Sequence, residues 1–313
     1  TLFGLNAVAG FVWAIHYIAM APFLFRRAKP AERAVLFGLA EAVHTLAAVL
    51  GALAAGRLAA YLGGALGDAP LGMAIALSAS GVLPLAAAWA YARIEPAPVS
   101  ELARTPLWPR MRAHKGLLVR FAAPQLVIGI GSGLTVPFLA LYLSDRFGFG
   151  PRGVGDLNAA SQVLMTAGFL ASPWIARRLG LALGASAVQY ASIPFFLVLA
   201  FATHPWLASA AFLLRAGLMN TAHPMVKNLM MQTAPEGLRE VQNAITSTVW
   251  GVGWVVGPVA GGWILAQNGN DYSHLMLGTV GLYLVGASAS LVWLRPLERA
   301  SSAAPALPLR KAG

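Results

Sequence analysis

Residues 241–266 read VQNAITSTVWGVGWVVGPVAGGWILA, an unbroken stretch without Asp, Glu, Lys or Arg. A helix rises about 1.5 Å per residue and needs about 20 apolar residues to cross the ~30 Å hydrocarbon layer of a bilayer. This stretch therefore predicts a membrane span. The rest of the 313-residue chain repeats the pattern: 58% of residues are hydrophobic, 11% are charged, and the mean hydropathy is +0.67. A soluble domain has roughly 45–50% apolar and about 25% charged residues. Apolar runs alternate with short clusters of Arg, Pro, Gly and Asp. They predict spans at 4–25, 34–60, 70–92, 117–143, 154–175, 181–202, 206–226, 241–266 and 274–294, an all-α integral membrane bundle.

The net charge of +11 would suggest nucleic acid only if the basic residues shared one face or tail. Here they are divided among alternate loops, and no nucleic-acid partner is expected. Arg26, Arg27, Lys29 and Arg33 fall between the first two spans, and Arg93, Arg104, Arg110, Arg112, Lys115 and Arg120 between the third and fourth. Arg177 and Arg178, then Lys227 and Arg239, then Arg295, Arg299, Arg310 and Lys311 follow at the next alternate loops and the tail. Arg57, Arg146 and Arg152 lie on the other side with all four Asp (Asp68, Asp145, Asp156, Asp271). Basic loops stay in the cytoplasm, so a multi-pass protein of the cell (inner) membrane with a cytoplasmic C-terminus is expected.

A fixed offset of 206 residues relates two parts of the chain. It carries Gly51, Ala54 and Gly56 onto Gly257, Ala260 and Gly262, Arg33 onto Arg239, Leu71 and Gly72 onto Leu277 and Gly278, and Arg93 onto Arg299. The first three spans thus duplicate the last three, while 117–202 has no counterpart. Residues 1–92 then read as the remnant of an N-terminal six-helix half and 93–116 as a cytoplasmic linker. Residues 117–295 read as a C-terminal six-helix half and 296–313 as a tail. The expectation is a fragment lacking about the first three of twelve helices, so that the nine spans are the fourth to the twelfth.

With the repeat in hand, Gly253-Trp-Val-Val-Gly257-Pro258-Val-Ala-Gly261-Gly262 resembles the Gly-x-x-x-Gly-Pro-x-x-Gly-Gly pattern of the major facilitator superfamily. Pro173-Trp-Ile-Ala-Arg177-Arg178-Leu-Gly180 resembles that family's short cytoplasmic loop motif, with Pro173 in place of Gly and Arg177 in place of Asp. The segment Gly129-Ile-Gly131-Ser-Gly133-Leu134-Thr-Val-Pro137-Phe138 resembles a bacterial subgroup. The resemblance implies secondary transport of a small solute by alternating access, with protons as a candidate coupling ion and efflux as a candidate direction, by a monomer in the lipid bilayer. Physically, small residues let helices approach closely, and Pro258 leaves a carbonyl unpaired. The motif is then either a bending element or a packing face.

Ionisable groups inside spans are disfavoured and are functional candidates by default. Arg215 lies mid-span, either facing a cavity between the halves or fixed to a neighbouring helix, and Asn220 and His223 follow on the same span. Glu41 and His44 share one helix face and form a candidate proton site, with Arg33 as the competing partner for Glu41. His16, beside Trp13 and Tyr17, is a candidate for stacking on substrate or an interface anchor. Gln125, Gln162 and Gln189 either line a pathway or bond between helices. The chain has no Cys, and neither metal nor cofactor is expected. A polytopic enzyme would carry His-Glu-x-x-His, Gly-x-Ser-x-Gly or a Walker loop, and none occurs. A lipid flippase or a scaffold remains the alternative.

Overall fold

The computed structural model describes residues 16, 18–80, 89, 92–93, 106–235 and 237–303. Among them the regular elements are all helical. We label them α1 (18–27), α2 (Arg33–Leu66), α3 (Ala69–Ser80), α4 (Leu107–Ala113), α5 (Lys115–Thr135) and, after a 3-10 turn at Val136–Phe138, α6 (Leu139–Phe147). Then come α7 (Pro151–Leu179), α8 (Leu181–Phe201), α9 (Pro205–Thr233), α10 (Arg239–Gln267) and α11 (Ser273–Ala303). Among the described residues, five stretches are long and apolar enough to cross a membrane: Arg33–Gly51, Lys115–Phe147, Leu181–Phe201, Arg239–Gln267 and Ser273–Ser301. The first predicted span and the end of the third lie largely outside the described residues.

Several helices run past their predicted ends, α2 to Leu66 and α7 over Pro151–Leu179, and three further differences matter more. The span predicted at 117–143 is broken at Val136–Phe138, where Pro137 occupies the start of the turn and has no N–H to continue the ladder. The helix predicted to end at 226 runs on to Thr233, so Lys227 is not a loop residue. The last helix continues to Ala303 through much of the expected tail.

Close contacts divide the chain into two compact units, Thr1–Ala42 with Thr105–Gly313, and Val43–Arg104. In the second, α3 begins where Asp68 accepts a hydrogen bond from Leu71 N (3.0 Å), and Gly72 lies directly against the backbone of Gly63 and Ala59. Leu46, Leu50, Leu53 and Tyr61 point outward, an apolar surface suited to lipid.

In the larger unit α10 packs along α5, α9 between α7 and α8, and α11 against α5 and α8. The α5–α10 seam is made of glycine. A Cβ on Gly253 would stand 2.5 Å from the Gly129 carbonyl carbon, one on Gly257 2.6 Å from Gly133, and one on Gly261 2.6 Å from Leu134 O. Two apolar helices gain nothing from leaving water inside a membrane, so dispersion at such short range is what joins them. Hydroxyls rivet α5 to α11: Thr135 Oγ1 donates to Leu275 O (2.9 Å), Thr279 Oγ1 to Gly131 O (2.9 Å), and Ser132 Oγ bonds Tyr283 OH (2.7 Å). The outer face of α10 is Val252, Val255, Val256, Val259 and Trp263, all exposed.

Gly180 alone separates α7 from α8, and its φ of +84° is the left-handed turn that glycine adopts without strain. Glu298 of α11 then caps α8, accepting from Leu181 N (2.5 Å) and Ala182 N (3.0 Å). A carboxylate there meets both the free N–H groups and the positive end of the helix dipole. Glu298→Gln should lower stability by about 1 kcal/mol, read as a lower melting temperature. An unchanged temperature would mean that the cap adds nothing.

Candidate functional site

The 206-residue offset becomes geometry at one end of the bundle. Arg33 and Arg239, 206 residues apart, each open a helix, and both stack on the same ring: their guanidinium carbons lie 3.7 Å and 4.4 Å from the centroid of Phe25. Around this clamp, α1 and the first turns of α2 meet helices of the C-terminal half. Arg26 is ion-paired with Glu240, and Asn243 Nδ2 donates to Ile18 O (2.8 Å). Gly38 sits so close to α7 that a Cβ would be 2.6 Å from Phe169 O and 3.4 Å from the Pro173 ring. Ala21, Phe25 and Phe37 share one buried cluster with Ala222, Met225, Val226, Leu229, Met230 and Met231 of α9.

Inside this seal lies a buried ion pair. Lys227 Nζ of α9 donates to Glu41 Oε1 of α2 at 2.7 Å, each side chain only 9% exposed. Lys227 was expected in a loop. Its signal in the sequence is the apolar run around it, Met225, Val226, Leu229, Met230 and Met231, which leaves a lone cation on a helix that continues. Four residues before it, one helical turn, stands His223, whose ring meets Trp250 edge-on at 5.3 Å. Trp250 in turn lies 6.4 Å from Trp254. On α10, Gln242 and Thr246 are buried, with Gln242 Nε2 and Oε1 and Thr246 Oγ1 unpartnered in hydrogen bonds.

The other expected residues are scattered. Arg215 is 5% exposed and lies within the C-terminal half, 5.2 Å over the Phe196 ring of α8 and facing the Tyr283 hydroxyl of α11. Asn220 is half-buried and bonds its own helix at Ala216 O (2.8 Å). His44 is exposed, and Glu41 accepts from Lys227. His16 is half-buried, while Trp13 and Tyr17 lie outside the described residues. Gln125 and Gln162 are half-buried; Gln189 is buried with Oε1 unpartnered. Of the loop motif, Arg177 is exposed and Arg178 stacks over Trp174 of its own helix (4.9 Å). In the glycine motif Gly253, Gly257 and Gly261 make the α5 seam around Pro258, and Gly262 stands clear of it.

The sequence profile of the Major Facilitator Superfamily matches residues 1–258 and again residues 125–311. The chain belongs to the major facilitator superfamily. Members of this superfamily are transporters and not enzymes, and the chain is a multi-pass membrane protein that moves a solute. Solved structures agree in fold. The outward-facing crystal structure of a bacterial homologue of the iron transporter ferroportin matches with TM-score 0.64 and 19% identity, over 90% of this chain and 69% of that one. The Escherichia coli fucose:proton symporter FucP matches with TM-score 0.71 and 13% identity, over 90% and 73%. The human organic anion transporter MFSD10 (TETRAN) matches with TM-score 0.55 and 15% identity, over 88% and 66%. No curated protein sequence matches the chain.

Proposed function

We propose that this superfamily member is a proton-coupled secondary carrier of a small solute, working as a monomer in a cell inner membrane by alternating access. In this reading its C-terminus is cytoplasmic, and the Glu41–Lys227 pair is part of the closed gate on that side. The observation that carries the reading is the buried pair itself, which joins a helix of the N-terminal remnant to one of the C-terminal half. Opening that face requires the two helices to part. Removing the partner of a buried charge is disfavoured by about 3–5 kcal/mol, whereas a proton on Glu41 cancels the attraction beforehand. The gate would then respond to the proton, and His223 and Trp250 would stand on the path just inside it. An iron carrier's bacterial homologue in an outward-facing state and a proton symporter among the fold neighbours are compatible with this reading.

The test is proton movement in liposomes holding the purified protein and a pH-sensitive dye, screened against chemically diverse solutes. Solute-dependent proton flux is expected in the wild type and should be lost in Glu41→Gln, while solute exchange persists. Equal proton flux in the variant would remove Glu41 from the coupling. No proton flux with any solute in folded protein would leave a uniporter, a lipid flippase or a scaffold.

A further inference from the structure

Arg215 is placed where a cation is hard to keep. It lies ten residues into α9 from Pro205, about 15 Å along the helix axis, and is 5% exposed. No carboxylate among the described residues forms an ion pair with it, and its Nε is buried without a hydrogen-bond partner. A guanidinium does not shed its proton in a protein, so the charge stays. Among the described residues its partners are neutral: the Phe196 ring at 5.2 Å and the Tyr283 hydroxyl, to which it is hydrogen-bonded and which also bonds Ser132 Oγ at 2.7 Å. A cation–π contact offsets only part of what burial of a lone charge costs. The Glu41–Lys227 pair shows how the same chain treats a second buried cation, with a carboxylate at 2.7 Å.

We propose that Arg215, Tyr283 and Ser132 form a binding site for a small monovalent anion such as chloride, inside the C-terminal half and separate from the Glu41–Lys227 gate. The three side chains come from α9, α11 and α5 and carry N–H and O–H donors. Arg215 gives N–H groups and the balancing charge. Tyr283 donates its O–H to the anion while accepting from Ser132. A bound anion neutralises the arginine and ties three helices together, so it stabilises the folded half and is not itself moved with each turnover. The proposal does not depend on proton coupling.

The test uses the purified full chain in detergent and reads its melting temperature as sodium gluconate is exchanged for sodium chloride at constant ionic strength. The melting temperature should rise by about 2 °C for each tenfold increase of chloride beyond its Kd. Bromide should act similarly. Arg215→Gln should abolish the response, Tyr283→Phe and Ser132→Ala should shift its midpoint about tenfold upward, and Arg120→Gln, an exposed cation, should keep it. If Arg215→Gln does not fold, the two hydroxyl variants and the wild-type anion series decide the matter. A wild-type melting temperature equal in chloride and gluconate, or a response to acetate and none to halide, would overturn the proposal. So would a chloride response of unchanged midpoint in the hydroxyl variants.

Discussion

Gly257→Leu should prevent the bundle from assembling, and even Gly257→Ala should lower its stability by about 3 kcal/mol or more. Overpacking a core typically costs about 1–3 kcal/mol when neighbouring side chains can move aside. At Gly257 the neighbours are backbone: a Cβ would stand 2.6 Å from both Cα and C of Gly133 and from Leu134 N. Relief requires α5 and α10 to separate, and the seam through Gly253 and Gly261 would part with them. Gly262 is the internal control, because its nearest neighbour is the Phe138 ring at 3.9 Å. Gly262→Ala should fall within about 0.5 kcal/mol of wild type. Size-exclusion profiles of detergent extracts and melting temperatures separate the two. Equal yield and stability for Gly257→Leu and Gly262→Ala would show that the glycine seam does not hold these helices together.

Lys227→Met should destabilise the chain by about 3–5 kcal/mol, because it removes the cation bonded to the Glu41 carboxylate in a site 9% exposed. Glu41→Leu removes the carboxylate that the Lys227 ammonium donates to. The double variant should regain most of the loss, since two apolar side chains of similar volume replace a desolvated pair that was near balance to begin with. Melting temperatures of the four proteins give the coupling directly. Simple additivity of the two losses would mean that the groups do not act as a pair. In the proposed gate the double variant has no titratable pair at this contact, and its solute flux should lose its dependence on pH.

Much of the architecture was legible in the chain because insertion in a bilayer depends on sums over single segments. Residues 241–266 are predicted as a span and form α10, Arg239–Gln267; residues 181–202 are predicted and form α8, Leu181–Phe201. The 206-residue offset was equally readable, and it places Arg33 and Arg239 each at the first position of a helix. The reading failed where charge was taken as a loop marker. Lys227 lies inside α9 and donates to Glu41, a carboxylate 186 positions away. The glycine motif was legible as a pattern, but its choice between bending and packing was not. Gly253, Gly257 and Gly261 face α5, which is a fact about the neighbour.

The sequence by itself determined the membrane class, most helix positions, the internal repeat and the superfamily, because each rests on length, composition or spacing along one strand of chain. Only the tertiary structure decided that Glu41 pairs with Lys227, that Phe25 is held between Arg33 and Arg239, and that Arg215 points into its own half. A helix advances about 100° per residue, so the partner of a side chain depends on how the whole helix is rotated about its axis. That rotation is set by packing, here by glycine backbones in contact along α5 and α10, and packing joins residues that no spacing in the sequence connects.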